Sequence, residues 1–162
     1  MRKNRSWDTK RQPSESSAEY VLRMLIMDLQ LLASDSEALI RHYYPPDDVI
    51  RQHARPEANI AYEWKEYAAD DLANDFDTRL EMVEQSGARR LISPEMLEKI
   101  RVVNAKLGEM SGLHDEELWT DAALHTRAEW KEIRNLAKEA LDAMGQKPES
   151  PPPWRGRIVP AR

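Results

Sequence analysis

Between Ser16 and Gly145 the chain holds only four prolines, Pro45, Pro46, Pro56 and Pro94, and each stands at the edge of a stretch with helical apolar spacing. Proline inside a helix removes a hydrogen bond and clashes with the preceding turn, at about 3 kcal/mol. The prolines therefore cut the chain into pieces that can each be one helix, and they leave almost no other regular structure open to it. The pattern predicts an all-α fold, an antiparallel helical bundle of about four long helices plus one short helix.

The boundaries follow from capping chemistry. The first helix starts at Ser16 or Ser17 and runs to about Tyr44, with a break expected near Ser34–Ser36, and Pro45-Pro46 stops it. A short helix from Asp47 to Ala54 follows. Pro56 opens a long helix over Glu57 to Gln85, and Gly87 lies just past its end. Ser93 caps the next helix with Pro94 at its first position, ending near Ser111 before Gly112. The last runs from about Asp115 to Met144 and stops at Gly145.

The organisation predicted is a basic flexible tail over 1–13, a helical bundle domain over 14–145 and a proline-rich basic tail over 146–162. Tail 1–12 carries +4 and tail 145–162 carries +3, against −5 for the whole chain, so the body carries −12. An acidic body disfavours nucleic acid as a partner. Pro148, Pro151, Pro152, Pro153 and Pro160 forbid a helix and favour extended polyproline geometry. Both tails are expected to be mobile, or held only by Trp7 or Trp154, since a tail Trp either docks on its own domain or engages a partner. The most apolar run, Val21 to Ala33, is interrupted by Arg23, Asp28 and Gln30. A membrane span needs about 20 mostly apolar residues, so no membrane association is expected. The absence of Cys excludes disulfides and thiolate metal sites and fits a cytoplasmic setting.

Placing residues at 100° steps identifies each buried face. The first helix has a polar stripe of Glu19, Arg23, Gln30 and Ser34, with Asp28 opposite it among apolar residues. In the second long helix Ala61, Trp64, Ala68, Leu72, Phe76, Leu80 and Val83 share the buried face. The other side carries Glu63, Glu66, Asp70, Asp77, Glu81 and Glu84, six carboxylates with no base among them. Like charges at this spacing cost a few tenths of a kcal/mol per close pair. Such a ridge is either a solvated face or a surface for a basic protein. Asp28, Arg79 and Glu129 point toward the presumed core with His125 at its edge, so these four are expected to form a buried polar network.

Catalytic motifs are missing. There is no Glu-x-x-His, no His-x-x-x-His, no Gly-x-Ser-x-Gly and no phosphate-cradling glycine loop. No cofactor or metal is implied by any motif. Glu63-x-x-Glu66 resembles the first half of the Mg²⁺ motif of all-α nucleotide pyrophosphohydrolases, but Glu139-x-x-Asp142, the nearest answering pair, is too far along the chain. The stretch Leu118-Trp119-Thr120, Ala123-Leu124, Glu129-Trp130, Ile133 to Ala137 and Leu141, after Ser93-Pro94-Glu95, resembles small helical immunity proteins encoded beside bacterial secreted toxins. The resemblance covers about a third of the chain and implies an acidic, non-enzymatic protein that binds a basic toxin. The reading is thus a protein-binding helical module with a basic protein partner. A metal-dependent hydrolase and a structural homo-oligomer, such as a homodimer, are the alternatives.

Overall fold

The fold comes from a computed structural model, which describes residues 7–48 and 68–155. Six α-helices and two 3₁₀ turns occur among the described residues, and no strand. The α-helices are α1 (Ser17–Ala33), α2 (Ser36–Tyr43), α3 (Ala68–Gln85), α4 (Pro94–Gly112), α5 (Asp121–Thr126) and α6 (Ala128–Ala143). The 3₁₀ turns span Gly87–Leu91 and Glu116–Trp119. Most of the short helix expected over Asp47–Ala54, and the first part of the one expected over Glu57–Gln85, lie outside the described residues. No described helix is long and apolar enough to cross a membrane.

Capping side chains account for the helix ends. Ser16 Oγ accepts the Glu19 N–H at 3.1 Å, and the Glu19 carboxylate accepts the Ser16 N–H at 2.8 Å. The predicted break after α1 is present: Ser34 turns extended, and Asp35 accepts the Ala38 N–H at 2.9 Å to start α2. Tyr44, forced extended by the proline that follows it, ends α2. Ser93 and Pro94 open α4 as expected. Gly145 takes φ 69° after α6, its N–H reaching Asp142 O and that of Gln146 reaching Leu141 O, both at 2.9 Å.

Helix α3 ends at Gln85 as expected, and Gly87, just past that end, begins a 3₁₀ turn capped by Ser86. Two boundaries differ from the sequence reading. Gly112 remains helical in α4, and the left-handed residue is His114, with φ 52°. The last helix, expected to be continuous, is broken at Thr120 and Arg127, both extended. At the Thr120 break the buried indole of Trp130 takes the carbonyl concerned, its Nε1–H donating to Leu118 O at 2.6 Å. In a continuous helix that carbonyl would be taken by the N–H four residues on. Satisfying the indole and keeping the helix are thus in competition.

Cross-helix polar pairs give the helix directions. Lys99 meets Glu139 at 3.7 Å and Lys106 meets Glu132 at 3.0 Å, so α4 and α6 run oppositely. Arg101 meets Glu84 at 2.7 Å and Asn104 meets Asp77 at 2.9 Å, so α3 and α4 do too. Helix α1 packs between α3 and α6, and α4 packs on the far side of α6. From Met24 to Ala33 every α1 residue is buried except the half-buried Ile26. Phe76, Leu25, Leu29, Ile100, Ile133 and Trp130 are the large side chains of the shared core.

The stripe Glu19, Arg23, Gln30 and Ser34 is not a free solvent face. Arg23 pairs with Glu15 at 2.7 Å and donates to the carbonyls of Asp8 and Lys10, while Tyr20 donates to Thr9 O. Gln30 is 3% exposed and holds the segment after Gly145: its Nε2 donates to Lys147 O at 2.8 Å and its Oε1 accepts the Glu149 N–H at 2.7 Å. His42 and Arg41 bind the same segment further along, at Pro152 O and the Trp154 N–H. Trp7 rests on the core with its ring 5.9 Å from that of His42. The described parts of both tails are therefore fixed by backbone hydrogen bonds, beyond the two Trp anchors expected.

Candidate functional site

Helix α3 carries the chain's densest set of carboxylates, and the 3.6-residue period divides them between two environments. Asp70, Asp77 and Glu81 are exposed and Glu84 is half-buried. The Glu84 and Asp77 carboxylates are engaged by Arg101 and Asn104 of α4, and Glu81 accepts from Gln85 at 2.8 Å. The expectation of a ridge without a base is thereby corrected for its C-terminal end, because α4 supplies Arg101 from across the helix interface. Glu63 and Glu66 lie outside the described residues.

The N-terminal end of α3 is different. Asp70, Asp71 and Asp75 are all exposed, and none forms an ion pair among the described residues. Desolvation pushes the Asp71 carboxyl up, with Asp75 and Asp70 adding like-charge repulsion. Asp71 and Asp75 were not singled out from sequence. The i, i+4 spacing Asp71, Asp75, Arg79 was the available signal, since it places all three along one edge of the helix.

That edge leads to the interior. Asp28 of α1 is 1% exposed, and Arg79 Nη1 donates to its Oδ1. The pairing of these two core-facing charges meets the sequence expectation. Asp28 Oδ2 is buried with no hydrogen-bond partner among the described residues. Burial pushes the Asp28 carboxyl up to about 6, with Asp75 adding to the rise, against the hydrogen bond and charge of Arg79. Tyr43 of α2 completes the cluster; burial raises its phenol well above the ordinary value, and Asp28 and Asp75 raise it further. Asp28 can hold a proton near neutral pH, but its buried oxygens offer no face to a solute. Tyr44 ties the start of α3 in place, donating to Asp121 at 3.0 Å and accepting the Ala68 N–H at 3.3 Å.

His125 and Glu129 do not join this network, which corrects the four-residue expectation. Because Arg127 is extended, α6 starts afresh and Glu129 falls in its first turn, where the helix dipole favours a carboxylate. There it pairs with Arg127 at 3.3 Å, and Arg127 also reaches Asp115 at 3.2 Å. The hydrogen bond from Arg127 is the main cause lowering the Glu129 carboxyl. His125 is exposed, its Nδ1 lying 2.6 Å from Ser36 Oγ. Among the described residues no group of three His, Asp or Glu side chains is arranged to hold a metal ion. No family model, no curated protein and no solved structure matches the chain at a significant level.

Proposed function

We propose that the chain is a non-enzymatic, protein-binding helical module that meets a basic protein through the exposed carboxylates of α3. The supporting observation is the contrast within that helix. Its C-terminal carboxylates are answered by α4, whereas Asp70, Asp71 and Asp75 stand together without an ion pair among the described residues. The first-turn position of Asp70 and Asp71 gives each a favourable helix-dipole term, but their mutual repulsion, with Asp75, opposes it. A basic partner turns the same repulsion into fast, salt-sensitive association. The resemblance read from the Leu118–Leu141 stretch supports the same reading and makes a basic secreted toxin one partner to test. The centre of the surface moves, relative to the six-carboxylate ridge, toward Asp70, Asp71 and Asp75.

The test is reversal of Asp70, Asp71 and Glu81 to Lys in the full chain. With the partner recovered by affinity capture from the native host, the association rate at low salt is expected to fall by about tenfold or more, and the difference to shrink at high salt. An unaltered rate at low salt would leave α3 as a solvated face and sink the proposal.

A further inference from the structure

The segment from Lys147 to Trp154 lies in a seat formed by α1 and α2, and the seat reads its backbone. Gln30 donates to Lys147 O and accepts the Glu149 N–H, the two groups that flank Pro148. One side-chain amide thus binds the segment as a neighbouring parallel strand would, skipping the residue that has no N–H. His42 lies with Nδ1 2.8 Å from Pro152 O, and since a carbonyl can only accept, that nitrogen carries the proton. Arg41 O accepts the Trp154 N–H at 2.8 Å. Pro151 is the buried side chain of the segment.

These contacts select an extended backbone with proline at the position of Pro151. The side chains of Lys147 and Ser150 are exposed and unread. Prolines suit the seat because they pre-set the extended geometry and bring no N–H to be satisfied. Recognition of this kind, through backbone groups and a proline pocket, is how polyproline segments are bound in general. We infer that the α1–α2 seat is a binding groove for an extended, proline-containing segment of another protein, filled in the isolated chain by its own residues 147–154.

A second copy is the poorer occupant. Exchange of identical segments between two copies makes the same contacts and loses association entropy, so it has no net advantage. A partner segment can add contacts beyond the groove. It must still compete with a tethered segment whose effective concentration is in the millimolar range, so the groove is self-blocked.

The experiment uses the full chain and a labelled synthetic peptide of residues 147–155, read by fluorescence anisotropy. Pro151→Asp in the chain places a charge in the buried position and unseats the tethered segment while leaving Gln30, Arg41 and His42 intact. This variant is expected to bind the peptide about tenfold or more tighter than the unaltered chain. The same peptide with alanine at its two exposed, unread positions, Lys147 and Ser150, is expected to bind comparably, and one with its prolines replaced is expected not to bind. Adding Gln30→Ala to the variant should abolish binding. If Pro151→Asp loses helix by circular dichroism, Trp154→Pro, which removes both the N–H given to Arg41 and the half-buried indole, replaces it. Failure of a helical variant to bind the parent peptide overturns the inference. So does failure of the peptide with the two alanines, which would make the seat private to this one segment. A concentration-dependent dimer of the unaltered chain would assign the seat to a second copy and overturn it as well.

Discussion

The polar stripe of α1 and the acidic side of α3 look alike as patterns, yet one is covered and the other is open. Over α1, Arg23 and Gln30 take up the carbonyls of Asp8, Lys10 and Lys147 and the N–H of Glu149. Over the N-terminal half of α3, Asp70, Asp71 and Asp75 face water. The difference lies in donors and acceptors. A guanidinium offers several N–H groups and an amide offers both kinds of partner, so each can satisfy a passing backbone without a counter-charge. A carboxylate only accepts and carries a charge, so a row of them holds no neutral chain segment in place and repels a further acid.

If this contrast is real, polar changes on α1 and at its buried partner should be costly and those on α3's open side nearly free. The largest effect is expected at the Asp28–Arg79 pair. Arg79→Met leaves the buried carboxylate without a counter-charge and should cost about 3–5 kcal/mol at pH 8 in urea unfolding. That cost should shrink below pH 6, where Asp28 takes up a proton.

The same group sets a pH dependence. Its folded value, about 6, lies above the ordinary 3.8, so its proton is bound more tightly in the folded state. Its contribution is therefore full at low pH and lost as pH rises from about 4 through 6. The difference amounts to about 3 kcal/mol. Asp28→Asn should remove that slope and match or exceed the parent's stability at pH 8. Lower stability of the Asn variant than of the parent at pH 8 would show instead that the ion pair outweighs its desolvation.

Next comes Gln30→Ala, expected to cost about 2 kcal/mol through two lost buried hydrogen bonds. It should also speed amide exchange at Glu149 and Trp154 while leaving exchange in α4 nearly unchanged. The smallest effect belongs to Asp71→Asn, expected within about 0.5 kcal/mol of the parent and on the stabilising side, because it relieves repulsion from Asp70 and Asp75. Destabilisation by more than that would mean the open carboxylates have structural partners.

Local chemistry carried most of the helix boundaries. Ser16 with Glu19, the Ser34–Ser36 break, Ser93-Pro94 and Gly145 each act within a few residues, and each was legible. The Asp28–Arg79 pairing was legible too, because both residues fall on apolar faces where an unpaired charge is untenable. The breaks at Thr120 and Arg127 were not, because the apolar period runs through both; at Thr120 the competing demand is tertiary, the indole of Trp130 on Leu118 O. For the same reason Glu129 and His125 were placed in a network they do not enter. Nor was the role of Gln30 legible: a lone amide in a polar stripe says nothing of a segment more than a hundred residues away.

That distance bears on how the chain reaches its final state. Gln30 lies in the last turn of α1, 3% exposed, and these partners come 117 and 119 positions later. During synthesis α1 can form and collect its apolar neighbours, but it then carries a stranded amide until residues 147–149 have left the ribosome. The contact is among the longest-range a chain of this size can make, and closing it costs loop entropy before it yields anything. A nascent chain halted before Lys147 would therefore hold an α1 whose Gln30 amide lacks both of these backbone partners.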